Sequence, residues 1–173
     1  MIESQSRYGV PPVAETGLSF IENALIKARH VARATGVPSL ADDSGLVVGA
    51  LNGAPGIYSA RFAGSRGDDA ANIDLLLEKL RNTADRRAFF YCALALIHDA
   101  HDATPLIVSA RWSGRISKQP LGSAGFGYDP VFFVPAQNRT AAQMAPACKD
   151  RLSHRGQALD ALLTAMQDDP RWQ

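Results

Sequence analysis

The chain has 173 residues, of which 46% are hydrophobic and 20% charged, with a formal net charge of +1. Those values describe one ordinary globular domain spanning 1–173 with a sizeable core, and they argue against a reader of nucleic-acid phosphates, which would carry a basic stripe. No apolar run is long enough to span a membrane and no basic-then-apolar leader opens the chain, so the expected compartment is the cytoplasm.

Residues 1–14, with Gly9 and Pro11-Pro12, read as an irregular lead-in. Ser19-Phe20-Ile21-Glu22 fits a capping box, and Leu18, Ile21, Leu25, Ala28 and Ala32 follow helical spacing to about Thr35. Gly36 and Pro38 then stop the helix. The apolar run Val37 to Ala41 ends in Asp42-Asp43, followed by Ser44-Gly45, which reads as a strand closing on a turn. Residues 45–67 suggest a short strand and then a loop around Ala54-Pro55-Gly56. Asp68 or Asp69 caps a second helix whose core face carries Ile73, Leu76, Leu77 and Leu80.

Ala88 to Ile97 is a continuous apolar run and reads as a central strand. Pro105 to Trp112 is its hairpin partner across the turn Asp99 to Ala103, and Arg115 to Lys118 extends the ribbon. His98-Asp99-Ala100-His101-Asp102 holds metal-ligand residue types, but a hairpin tip is better read as a solvated turn. Val131 to Val134 is a short buried strand, and Thr140-Ala141-Ala142-Gln143 looks like a second capping box. The last helix is expected from about Ser153 to Gln167, with Leu159, Leu162, Leu163 and Met166 facing the core. Cys92 and Cys148 lack metal-ligand spacing.

Four segments carry chemistry. Adjacent carboxylates at a strand end repel and gain from a cation, and Mg²⁺ takes oxygen ligands of this kind together with substrate phosphates; Asp-Asp-Ser-Gly is equally good turn chemistry. Glu15, just before the first helix, is either a helix-dipole partner or a ligand opposite Asp43. The stretch 122–130 places three glycines before Tyr128-Asp129-Pro130. There Phe126 and Tyr128 could stack on a base and Asp129 could accept from ring N–H groups, though a strand-entry turn would use the same glycines. Ser153-His154-Arg155-Gly156 puts cationic donors at a helix N-terminus, where they cost stability and suit an anion or a carbonyl oxygen.

Five words of the chain, taken in order, resemble the inosine triphosphate pyrophosphatase family, which acts on non-standard purine nucleoside triphosphates. They are Glu15 to Ala24, Ala41 to Leu46, Gly53 to Arg61, Gly125 to Phe132 and Ser153 to Leu159. The resemblance implies an α/β fold with a mixed, largely antiparallel central sheet flanked by helices, in two lobes around a cleft. It implies Mg²⁺-dependent hydrolysis of ITP, dITP and XTP to the monophosphate and pyrophosphate, and a homodimer. Asp43 would be metal ligand and general base, with Glu15 and Asp42 completing the metal environment. Lys27 would reach phosphate, and Ser44 and Lys149 would contact substrate. Phe126, Gly127, Tyr128 and Asp129 would hold the base, and His154 and Arg155 would read its 6-oxo group. Family members typically open with a strand, a Thr-Gly-Asn loop that grips the triphosphate, and a helix. Nothing in Met1 to Ala14 matches that unit, so either the natural protein starts further upstream or it is truly shortened, and in the second case weak turnover, or nucleotide binding without turnover, is the competing expectation.

Overall fold

The computed structural model describes residues 2–64 and 67–172. In chain order these contain α1 (Phe20–Thr35), β1 (Ser39–Val48), α2 (Asp69–Lys79), β2 (Arg87–Ile97), β3 (Leu106–Ile116), β4 (Phe132–Val134), β5 (Arg139–Thr140), α3 (Pro146–Leu152) and α4 (His154–Asp168). The strands form one five-stranded antiparallel sheet in the order β1-β2-β3-β4-β5, flanked by helices, so the expected fold class holds. The lead-in contains only a 3₁₀ turn at Gln5–Tyr8.

Local signals set most boundaries. Ser19 Oγ accepts the Glu22 N–H at 3.2 Å, while the Glu22 carboxylate accepts the Leu18 N–H at 2.9 Å and the Ser19 hydroxyl at 2.8 Å. One of the orphan donors at the start of α1, the Glu22 N–H, is satisfied in this way, and the Leu18 N–H just before the cap is bound as well. Gly36 ends the helix in the left-handed region, and its N–H bonds to Ala32 O at 2.8 Å. Leu18 stands outside the helix at 87% exposure, so it does not join the apolar face. Asp68 caps α2, and Thr140 with Gln143 forms the second capping box as expected.

Two boundaries differ from expectation. Ser44-Gly45 is not a turn: β1 runs unbroken through Asp42, Asp43, Ser44 and Gly45. Leu46 and Val48 beyond them are fully buried, and extending the strand to seat them outweighs local turn propensity. The Leu46 N–H is satisfied by Ser59 Oγ at 2.9 Å. The expected pieces Pro105 to Trp112 and Arg115 to Lys118 are likewise one strand, β3, which pairs with β4 through Arg115↔Phe133 and Ile116↔Phe132.

The chain divides into two compact units, residues 1–43, 92–109 and 158–173, and residues 44–91 and 110–157. In the first, Ala24, Ala28 and Ala32 of α1, Cys92 to Ile97 of β2, and Ala158 and Leu162 of α4 are buried. Leu159 and Leu163 were expected in this core, yet they are 40% and 60% exposed. The buried stripe of α4 follows Ala158 and Leu162, and the next residue lies about 100° round the helix. The hairpin tip is the exposed turn expected, except at Asp102. Asp102 is buried, accepts the N–H groups of His98 and Thr104 at 3.0 and 2.8 Å, and pairs with Arg171 at 3.3 Å.

The second unit holds a contiguous core in which Phe132 meets Phe90 and Trp112 at ring-centroid distances of 4.5 and 5.1 Å. Arg86 is buried with no need of a carboxylate. Its guanidinium donates to Leu80 O at 2.7 Å and to Ile116 O and Ser117 O at 2.8 Å each, tying the end of α2 to the end of β3. Among the described residues no helix is long and apolar enough to cross a membrane.

Candidate functional site

One group of polar side chains is assembled from α1, β1 and the segment before α1. Lys27 and Asn23 lie one turn apart on α1, which puts them on the same face. Lys27 Nζ donates to Asp43 Oδ1 at 2.7 Å and to Glu15 Oε1 at 3.2 Å. The Asn23 amide, fully buried, reaches Asp43 Oδ2 at 3.4 Å. Asp43 itself is only 8% exposed, and burial pushes its carboxyl above the usual carboxylate range. Lys27 opposes that rise, Glu15 adds to it, and Asn23 opposes it weakly. A buried carboxylate gains stability from a cation, and here one ammonium serves two acids.

Asp42 precedes Asp43 on β1. Successive residues of a strand point to opposite faces, so Asp42 and Ser44 leave β1 on the side away from Asp43. Among the described residues no cluster of three or more His, Cys, Asp or Glu is placed to hold a metal. Asp43 and Glu15 still converge on one cation, and two carboxylates are a normal protein contribution to a Mg²⁺ site completed by water and phosphate.

The second group is the loop 125–129 with α3 and the start of α4. Asp129 is buried, and its Oδ2 accepts the Phe126 N–H at 2.9 Å and forms an ion pair with Lys149 of α3. Gly125 has φ +82°, and a Cβ there would run into the Asp129 carboxylate, so only glycine lets the loop close on that acid. Phe126 is 62% exposed; Lys149 Nζ lies 4.7 Å and Arg155 Cζ 5.9 Å from its ring centroid. These are cation–π distances, and a ring held among cations offers an open face to a planar ligand.

Tyr128 does not share that exposure, which corrects its expected role as a stacking surface. It is 4% exposed within the core and donates its hydroxyl to Ser59 O at 2.9 Å. Burial, then the charge of Asp69, pushes its phenol far above the usual tyrosine range, so it stays a neutral strut. His154 opens α4 with its ring stacked on Phe90, centroids 4.8 Å apart and planes 11° from parallel. Gly156, in the first turn of α4, leaves no room for a Cβ against the Asp150 carbonyl, and Ser153 Oγ accepts its N–H at 3.1 Å. That close packing fixes where Arg155 emerges.

Sequence reasoning did not anticipate Asn23 as a partner of Asp43, although an asparagine on the buried face of a helix is itself a signal. It also treated Asp69 only as a cap. The Asp69 carboxylate instead accepts the Gly127 N–H at 2.6 Å, a pairing with no local sequence signature.

The fold and these two clusters define an α/β protein built on a single antiparallel sheet, with a strand-borne acid group and a glycine-rich aromatic loop. The sequence profile of the Ham1 family matches residues 2–165, and the chain belongs to that family. It is 52% identical over 169 residues to the dITP/XTP pyrophosphatase of Yersinia pestis, a match covering 96% of this chain and 86% of the relative. With the dITP/XTP pyrophosphatase of Coxiella burnetii it shares 49% identity over 166 residues, 95% of this chain and 83% of the other. Among solved structures, a HAM1 protein from Coxiella burnetii superposes with a TM-score of 0.91 over 95% of this chain and 85% of the other, at 49% identity. The Staphylococcus aureus Ham1 protein gives 0.88 at 42% identity, covering 95% and 84%.

Proposed function

We propose that this protein is a nucleoside triphosphate pyrophosphatase that hydrolyses dITP, XTP and ITP to the monophosphate and pyrophosphate in the presence of Mg²⁺, removing deaminated purines from the nucleotide pool. The relatives named dITP/XTP pyrophosphatase at about half identity support the reaction class. One structural observation carries the residue assignment: two carboxylates, Asp43 and Glu15, converge on one ammonium, and burial raises the proton affinity of Asp43.

Asp43 and Glu15 are the residues that would hold Mg²⁺. A bound Mg²⁺ supplies charge neutralisation on the phosphate chain and fixes its orientation. Asp43 would take the proton of the attacking water, as a positioned carboxylate base. Lys27, released from part of its carboxylate pairing, donates to a phosphate oxygen. Its 24% exposed side chain leaves it open to an incoming anion. Asn23 holds the second Asp43 oxygen and orients the carboxylate. Asp42 and Ser44 lie on the other face of the strand and are assigned no proton or metal role; a substrate contact by Ser44 rests on the resemblance alone.

At the other group, Phe126 stacks on the purine and Lys149 with Asp129 keeps the loop shut beneath it. Arg155 donates to the 6-oxo group, with His154 beside it. An amino group at position 6 would face those donors with a donor, leaving buried polar groups unpaired, and sites built this way can discriminate by about 10⁴–10⁵-fold. A second copy of the chain as partner is supported by the resemblance and by Leu159 and Leu163, exposed one turn apart on α4. A cytoplasmic location follows from the substrate pool.

The deciding experiment supplies dITP with and without Mg²⁺ and identifies the products. Pyrophosphate and dIMP, formed only with Mg²⁺, are expected. Release of single phosphates would make the protein a general nucleotide phosphatase, and tight binding of dITP without turnover would make it a nucleotide-binding protein.

A further inference from the structure

Asp69 is the first residue of α2, and its carboxylate has no capping duty, because Asp68 is the N-cap and accepts the Ala71 N–H at 2.9 Å. Asp69 Oδ2 instead accepts the N–H of Gly127, 58 residues away, at 2.6 Å. The same peptide group is gripped at its other end, since the Phe126 carbonyl accepts the Asp129 N–H at 3.3 Å. The peptide before Phe126 is held too, through the Phe126 N–H on Asp129 Oδ2 at 2.9 Å. Both peptides flanking Phe126 are thus fixed, one by Asp129 from within the loop and one by Asp69 from α2. The ring is 62% exposed, with Lys149 and Arg155 at 4.7 and 5.9 Å from its centroid, so the backbone sets where the side chain starts and those cations meet it.

We propose that Asp69 is a positioning residue for base selection: by holding the Phe126–Gly127 peptide it fixes where the loop presents the Phe126 side chain to Lys149 and Arg155. The inference rests on the reading of Phe126 and Arg155 as base-contacting groups. An acid in the first turn of a helix also favours the helix dipole, but that effect acts on stability and would leave substrate choice untouched. Hydrogen bonds to charged groups are worth more, and losing one that sets a contact geometry changes binding about tenfold or more.

The test compares Asp69→Ala and Asp69→Asn with the parent protein, on ITP and ATP. Asp69→Ala is expected to raise KM for ITP about tenfold and narrow the ITP-to-ATP ratio of kcat/KM by a similar factor, with kcat changed less than about threefold. Asp69→Asn keeps an acceptor oxygen for Gly127 and restores most of both. The Asp69→Ala effect should also vanish in a Phe126→Ala background, because the ring it positions is gone. Unchanged KM and ratio in Asp69→Ala, or equal losses in Asp69→Ala and Asp69→Asn, would overturn the proposal. A measurement on the parent protein keeps the idea exposed even if Asp69→Ala does not fold: the Gly127 amide should be protected from hydrogen exchange, and fast exchange there overturns it. If the parent protein neither hydrolyses nor prefers ITP, the functional reading fails instead, and the exchange result still decides the Asp69–Gly127 contact.

Discussion

The two polar groups keep their charges by opposite means. Around Asp43, two carboxylates, Asp43 and Glu15, converge on the Lys27 ammonium, so side chains from three segments meet at one charge. Around Asp129, one carboxylate meets one ammonium, and backbone N–H groups close the loop about them. Converging carboxylates suit a place where a cation and a phosphate chain must enter and leave. A balanced, backbone-anchored loop suits a place where shape has to persist while a base is compared with its near relatives. On this account the first group governs how fast the reaction runs and the second governs which base is accepted.

The largest effect that could break this division is expected at Asp43. Asp43→Asn keeps the size of the side chain but neither carries the charge nor accepts a proton. Activity on dITP should fall by about 10²–10⁴-fold, the usual cost of losing a positioned base, with the thermal midpoint little changed. Steady-state kinetics in Mg²⁺ check this; a variant retaining most of its turnover would remove Asp43 from the chemistry.

Stability responds most in the other group. Lys149→Ala leaves the buried Asp129 carboxylate without its counter-charge, and breaking a buried pair from one side costs about 3–5 kcal/mol. Denaturant unfolding of this variant should show a loss of that order. A loss below about 1 kcal/mol would mean that the backbone bonds alone hold the loop.

A smaller effect is expected from acid. Burial by itself would raise the Asp102 carboxyl, but the N–H groups of His98 and Thr104, together with the Arg171 charge, outweigh it and hold the group below the usual carboxylate range. A depressed folded-state pKa adds stability above the unfolded value of about 3.9 and loses it as pH falls through the folded value. Arg171→Ala should therefore move the acid-unfolding midpoint to higher pH, with no change in base selectivity. The smallest effect belongs to Leu163→Ser. At 60% exposure the side chain contributes little to the core, and monomer stability should stay within about 0.5 kcal/mol by denaturant titration.

How legible each feature was depended on how local its cause is. The capping boxes at Ser19 and Thr140 and the apolar run of β2 are written in contiguous residues, and the elements appear where those residues place them. Asp42-Asp43-Ser44-Gly45 misled because turn chemistry is a local preference, while β1 continues for the sake of Leu46 and Val48 in a core that assembles from distant segments. Leu159 and Leu163 misled because hydrophobic spacing on α4 supports two stripes, and packing chose the one through Ala158 and Leu162. α3 has too little apolar periodicity to be recognised beforehand. Within the loop, residue type could not separate Phe126 from Tyr128, since both are aromatic and two residues apart; the hydroxyl of Tyr128 found a carbonyl in the core, and Phe126 had none to seek. Asp69 was legible as an acid at a helix start and illegible as the partner of Gly127, because that contact exists only once two distant segments have met.

The division of labour is tested most directly by one side-by-side measurement: kcat/KM for ITP and ATP in Asp43→Asn and in Arg155→Ala. Asp43→Asn should lower both values by the same factor and leave their ratio at that of the parent protein. Arg155→Ala should collapse the ratio toward unity, chiefly through loss of ITP, because the donor facing the 6-oxo group is gone. A preserved ratio in Arg155→Ala, or a changed ratio in Asp43→Asn, would contradict the separation of rate from base choice.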